Sequence, residues 1–126
     1  MDTVSDTDRI ATAEAYIDAL VSHEGDSVPF APECVRIENG LKTSFSGNHL
    51  RRSLNRGPQF RLIAAITDRE FTVDGDEVRA TFIVRLKVKV AGRRVVARTV
   101  EMFLIPARDG KIHHINARVR PGLQRD

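Results

Sequence analysis

Three short polar turns, Asp74-Gly75-Asp76, Ala91-Gly92-Arg93 and Arg108-Asp109-Gly110, divide the second half of the chain into runs rich in β-branched and aromatic residues. Strands are expected over 60–67, 71–73, 78–90, 95–105 and 111–119. Turns this short join antiparallel neighbours, because a parallel crossover needs a dozen or more residues. The segment should therefore run as a meander that buries one face. The cover for that face has to come from the first half, where Ile10, Ala13, Ile17, Leu20 and Val21 recur at helical spacing over 6–23. Ser5, Asp6 or Thr7 can cap that helix, and Gly25 stops it. A second, short and basic helix is expected over 48–56, capped by Ser46 or Asn48, carrying the pair Leu50 and Leu54, and ended by Gly57-Pro58. Between the helices, Val28-Pro29-Phe30-Ala31-Pro32 reads as a turn-rich linker, since its prolines lack donors. A brief strand over 34–38 follows it, ended by Asn39-Gly40. Helices followed by a long antiparallel meander describe an α+β domain.

With 126 residues, one domain accounts for the whole of 1–126, with 1–5 and 121–126 expected as flexible tails. The single cysteine, Cys34, excludes a disulfide scaffold and a cysteine-based zinc site. No apolar run is long enough to span a membrane, and the opening Met1-Asp2-Thr3-Val4-Ser5-Asp6 is no leader, so the chain reads as a cytoplasmic protein without a membrane partner. Arg79, Arg85, Lys87 and Lys89 form a basic stripe on one side of a strand, but that side contains no Phe, Tyr or Trp. A solvated or subunit-facing sheet surface is the preferred reading, ahead of a nucleic-acid partner. Neither a Gly-rich phosphate loop nor G-x-S-x-G occurs, and no cofactor is expected. His113 and His114 are consecutive on a strand and point to opposite faces, so no metal is expected either.

Strand register singles out Glu101. A two-residue turn at Gly92-Arg93 would set Leu86 opposite Thr99, Val84 opposite Glu101 and Phe82 opposite Phe103, which places a carboxylate on an apolar face. There it must be paired, edge-exposed or held neutral by desolvation. The last hairpin leaves two registers open. A two-residue turn at Asp109-Gly110 brings His114, Asn116 and Arg118 to the side of Glu101, whereas a three-residue turn with Gly110 left-handed brings His113, Ile115 and Ala117 instead.

The order of elements resembles the cone-shaped α+β barrel of the nuclear transport factor 2-like superfamily, which includes SnoaL-like polyketide cyclases and ketosteroid isomerases. Tyr16-Ile17-Asp18-Ala19-Leu20 is similar to the isomerase helix that carries an oxyanion-hole tyrosine. Phe30-Ala31-Pro32-Glu33-Cys34-Val35-Arg36-Ile37-Glu38 is similar to the linker and first strand, with Glu38 where the family has its aspartate base. Val100-Glu101-Met102-Phe103 resembles the last hairpin, with Glu101 at the place of the protonated aspartate. Both presumed aspartates are glutamates here, and Met102 stands where the isomerases have a polar residue.

That resemblance implies a curved antiparallel sheet wrapped around the N-terminal helices and a pocket for a small apolar, carbonyl-bearing ligand. It also implies cofactor-independent proton transfer of isomerase, cyclase or dehydratase type, with Glu38 as base and Tyr16 and protonated Glu101 as donors; the mechanism is that of the isomerases themselves. His49, Asp68, Phe82, Phe103, His113, His114 and Asn116 are further pocket candidates. The rival expectation is a noncatalytic ligand-binding or scaffold homodimer. Its interface would be the outer sheet face, where Ile83, Val96, Val100, Met102 and Leu104 fall, with Arg85, Lys87 and Arg98 towards the rim.

Overall fold

The structure, a computed structural model, describes residues 3–125; residues 1–2 and 126 of the expected tails lie outside the described residues. Helix α1 (Asp6–Ser22) is followed by β1 (Phe30–Glu38), β2 (Leu41–Ser44), α2 (Gly47–Arg56), β3 (Ile63–Asp74), β4 (Glu77–Val90), β5 (Arg93–Leu104) and β6 (Ile112–Gln124). Short 3-10 turns occupy Gly25–Ser27 and Pro58–Leu62. The strands form one curved, open sheet in the order β2-β1-β6-β5-β4-β3.

The α+β class holds, with three corrections. The sheet is mixed, because β1 lies parallel to β6 while every other pair is antiparallel. The expected linker is largely strand. β1 pairs Phe30 with Ile112 and then resumes at Val35 with His114, and Pro32 falls in the irregular stretch between, where no ladder donor is required. The strand β2 was not expected. Asn39 (φ 50°) and Gly40 (φ 84°) both adopt the left-handed conformation of a two-residue hairpin turn, folding β2 back onto β1.

The other boundaries have local causes. Ser5 caps α1 by accepting from the Asp8 N–H at 3.1 Å, and His23, left-handed at φ 63°, ends it before Gly25. Pro58 opens a 3-10 turn, which delays β3 to Ile63. The expected break in that strand is a bulge between Thr67 and Glu70, with Asp68 at φ 56°. The expected C-terminal tail is instead paired, Arg94 facing Gln124, so β6 continues through the segment 121–124. At the other end the Val4 N–H donates to the Ala107 carbonyl at 2.7 Å.

Both hairpin registers are settled. In the β4–β5 hairpin the turn is Ala91-Gly92, both left-handed, and a further slip falls between Arg85 and Lys89. Glu101 consequently faces Ala80 rather than Val84, and Phe82 faces Thr99 rather than Phe103. Both slips are even, so every side chain keeps its expected face. In the β5–β6 hairpin Gly110 is left-handed at φ 66°, and Glu101 faces Ala117 while Phe103 faces Ile115. This is the register of the three-residue turn.

The two helices cover the concave face. Ala13, Tyr16, Ile17 and Leu20 of α1 and Leu50 and Leu54 of α2 pack with Phe30 and Cys34 of β1, Val78, Ala80, Phe82 and Val84 of β4, and Phe103 and Ile115. Gly47 lets α2 approach β1 closely, since a Cβ there would stand 2.5 Å from the Ala31 carbonyl oxygen. Arg9 pins the start of α1 to the sheet: its Nε donates to the Ile105 carbonyl and its Nη2 to the Gly75 carbonyl, both at 2.6 Å, and its Nη1 reaches Asp6 at 3.2 Å.

Candidate acid–base cavity

Alternation along β1 turns Cys34, Arg36 and Glu38 towards the helices. Across the sheet, Glu38 faces Ala117, which faces Glu101, which faces Ala80. The methyl group of Ala117 leaves space above the sheet between the two carboxylates, and the Arg36 guanidinium occupies it. Arg36 Nη1 lies 3.0 Å from Glu38 Oε1 and 3.2 Å from Thr43 Oγ1, and Nη2 lies 3.5 Å from Glu101 Oε1. The exposure of the three side chains is graded: 39% for Glu38, 14% for Arg36 and 1% for Glu101.

The cavity has two lobes that share Arg36, Glu38 and Phe60. One lobe, of about 150 Å³, is lined by Tyr16, Leu50 and Leu54 and by the hydroxyl-bearing Thr43, Ser44 and Ser53. The other, of about 160 Å³, adds Glu101 and Thr99 to the shared Arg36 and Glu38 and is otherwise apolar, with Ile63, Phe82, Val84, Leu86, Ala97 and Val119 in its walls. Each lobe takes a group about the size of a benzene ring.

Burial removes solvation from Glu101 and raises its pKa, an effect that Arg36 opposes in part. Burial alone would lower the Arg36 pKa, but Tyr16, Glu101 and Glu38 around it more than offset this, and the guanidinium stays charged. The cluster is neutral when one carboxylate holds a proton, and the fully buried Glu101 is the one for which ionisation costs most. Glu101 Oε2 and Arg36 Nε have no hydrogen-bond partner among the described residues. Protonated, Glu101 would present an O–H donor in an apolar lobe. The Tyr16 phenol is raised by burial and stays neutral; its ring packs edge-on against Phe30 and Phe103. Burial pushes the Cys34 thiol up to about 12, which leaves no thiolate nucleophile near neutral pH.

Of the residues singled out from the sequence, Tyr16, Glu38, Glu101 and Phe82 line the cavity, Tyr16 in one lobe, Phe82 and Glu101 in the other, and Glu38 in both. Phe103 stands behind it in the core. The others lie elsewhere. His49 stacks on the exposed Phe45, and its Nδ1 accepts from the Phe45 N–H at 3.1 Å, because the face of α2 that meets the core carries Leu50 and Leu54. Asp68 sits at the β3 bulge on the outer face. The observed register turns Asn116 and His114 outward, opposite Met102 and Leu104. His113 is held between Glu33 (2.5 Å) and Asp109 (2.7 Å), outside both lobes. Arg36 was missed, although naming Glu38 already put Arg36, two residues earlier, on the same strand face. Among the described residues no group of His, Cys, Asp and Glu could hold a metal ion, and no helix is long and apolar enough to cross a membrane.

A family model described as Domain of unknown function (DUF8021) matches residues 2–119, and the chain belongs to that family. No curated protein matches the sequence significantly. Among solved structures, a de novo designed protein with a curved β-sheet is similar at TM-score 0.73 and 18% identity, over 93% of this chain and 88% of that one. An NTF2-like protein from Burkholderia xenovorans LB400 is similar at 0.68 and 16% identity, over 93% and 92%. An LEH-like epoxide hydrolase from M. tuberculosis is similar at 0.67 and 19% identity, over 90% and 84%. A putative isomerase of the SnoaL-like family shares the architecture as well. The fold is therefore that of the nuclear transport factor 2-like superfamily, as the sequence resemblance implied.

Proposed function

We propose that this chain binds a small apolar molecule bearing a carbonyl or comparable oxygen, and transfers a proton on it without cofactor or metal. The observation that carries the reading is the Glu38–Arg36–Glu101 bridge, with Glu101 Oε2 unpartnered in an apolar lobe. In this reading Glu101 is the buried acid that donates to the ligand oxygen, and the half-exposed Glu38 is the base. Arg36 bridges the two carboxylates, and burial keeps the proton on Glu101, the donor of the pair. Tyr16 and Glu101 line different lobes, so Tyr16 acts on the Arg36 side of the cluster rather than sharing one oxygen with Glu101.

A second reading has its own support. Thr43, Ser44 and Ser53 give the lobe beside Glu38 three hydroxyls that would hold a water next to a base, which suits addition of water to a strained or activated substrate in the other lobe. The structural likeness to an epoxide hydrolase is consistent with that chemistry. A rival without catalysis keeps the same cavity for binding alone, in a twofold dimer whose interface is the outer sheet face. On that face Ile83, Val100 and Met102 are half-buried and Leu104 is exposed, while Val96, also expected there, is buried in the single chain.

Cyclohexanone incubated with the protein in deuterium oxide tests the proposal by NMR. Exchange of the α-protons above buffer background, abolished in Glu38→Gln and slowed about a hundredfold in Glu101→Ala, is the expected outcome. Binding of cyclohexanone with no exchange would leave the noncatalytic rival, and sedimentation then decides whether it is a dimer.

A further inference from the structure

The apolar lobe does not end at a wall. Its lining residues Leu86 on β4, Ala97 on β5 and Val119 on β6 stand where the concave face emerges from beneath the helices. Beyond them the strands run on. Ala97 faces Pro121 and, one step further, Val95 faces Leu123; beyond the slip in β4, Val90 faces Arg93. Residues two apart on a strand share a face, so Val95 and Leu123 continue the face of Ala97 and Val119. Val90 and Leu123 are about half exposed, at 51% and 50%, and Val88 is 41% exposed. All three are among the exposed large apolar side chains described, gathered at one end of the sheet, and none of them belongs to the hydrophobic core or packs against it.

Resting on the proposed pocket, we infer that its ligand is elongated: a head group with the oxygen sits against Glu101, and an apolar chain leaves the second lobe along the strip formed by Ala97, Val95, Val90, Pro121 and Leu123. The lobe itself has room only for a ring-sized group of about 160 Å³. From Ala97 to Arg93 the strand rises roughly 14 Å at ~3.4 Å per residue, a track that a compact ligand would leave bare. Continuity with the cavity lining decides the occupant. Lys87 and Arg93 stand exposed on the same hairpin and carry like charge, which disfavours a second copy of this chain on the strip.

Calorimetric titration of hexanone, octanone, decanone and dodecanone, the straight-chain methyl ketones, tests this. A methylene on an open strip is about half buried, so affinity should rise roughly twofold per added methylene, half of the ~0.8 kcal/mol of a buried one. The double variant Val90→Asp with Leu123→Asp should remove that increment and leave hexanone binding unchanged; both sites are exposed, so the fold is kept. Hexanone binding with no gain along the series overturns the elongated ligand and leaves the pocket. Failure of all four ketones to bind overturns the pocket reading and the elongated ligand together. A dimer that the double variant splits would make the strip a contact between copies and would also overturn the inference.

Discussion

Arg9 and Arg36 both carry a guanidinium into the interior, but Arg9 arrives among backbone acceptors and Arg36 among acids. Arg9, 3% exposed, gives Nε to Ile105 and Nη2 to Gly75, carbonyls at the end of β5 and in the β3–β4 turn, and its charge meets Asp6 at the surface. None of its nitrogens is an orphan. Arg36 is more exposed, yet its Nε is unpartnered, its contact with Glu101 is long, and cavities lie on both sides of it. A buried charge that is fully satisfied holds elements together, whereas one left partly unsatisfied beside empty volume calls for a further partner, which in the proposed reading is the ligand.

The first way to break this contrast is to remove Arg9. Arg9→Ala leaves the Ile105 and Gly75 carbonyls without their donor and frees the start of α1, and should lower stability by about 3 kcal/mol. A shifted midpoint in urea denaturation would report it. Arg9→Lys should recover only part of the loss, since one ammonium cannot reproduce the planar fork that reaches two carbonyls. Loss of under about 0.5 kcal/mol in Arg9→Ala, the range of an ordinary surface change, would show that Arg9 is no structural latch.

The opposite sign is expected at the other arginine. Replacing Arg36 by Met and Glu101 by Leu together exchanges a strained ionic pair for apolar side chains, a change that is neutral or stabilising by up to about 2 kcal/mol in such settings. The same double variant should lose all α-proton exchange. A stability gain with loss of function would mark the bridge as retained for chemistry. A drop of several kcal/mol would place Arg36 with Arg9 as a structural residue.

How far the sequence revealed these features follows from the range of the interactions involved. Glu101 was legible because alternation on a strand is local, and the even slips of the β4–β5 register could not change its face. Its actual neighbour Ala80 was not, because Ala91-Gly92 forms the turn, which puts a non-glycine residue at positive φ, and a second slip follows between Arg85 and Lys89; no local preference favours either. The β1–β6 pair was hidden for another reason: it joins segments from opposite ends of the chain, and no periodicity within either records the partner. Arg36 shares this difficulty in part. Its face could be read from the spacing to Glu38, but the fact that it reaches Glu101 depends on that long-range parallel pair. His113 and His114 were assigned from a hairpin alone, without the Glu33 carboxylate that β1 brings to His113.

Per pH unit, the smallest expected effect is on the pH dependence of stability, where the two arginines should differ again. Burial raises the Glu101 pKa in the folded protein above its ordinary value of 4.5, so the folded chain binds this proton more tightly than the unfolded chain does. Its contribution is therefore complete below the ordinary value and declines as pH rises through the folded pKa, with a slope of at most about 1.4 kcal/mol per pH unit. Glu33 and Asp109 act in the other direction. Glu33 is held below its usual range by a backbone hydrogen bond and by His113; for Asp109, burial raises the pKa, but hydrogen bonds from Lys111 and His113 more than offset it. Their contribution is present above the ordinary carboxylate values and is lost as pH falls through the lowered ones. Urea titrations upward from about pH 5 isolate the Glu101 limb as the difference between wild type and Glu101→Gln. Wild-type protein and an Arg9→Met variant should lose stability in parallel as pH rises, because the backbone acceptors of Arg9 do not titrate, whereas Glu101→Gln should lack that decline. A Glu101→Gln profile as steep as wild type would mean that Glu101 is ionised in the fold, and the acid of the proposed pair would be lost.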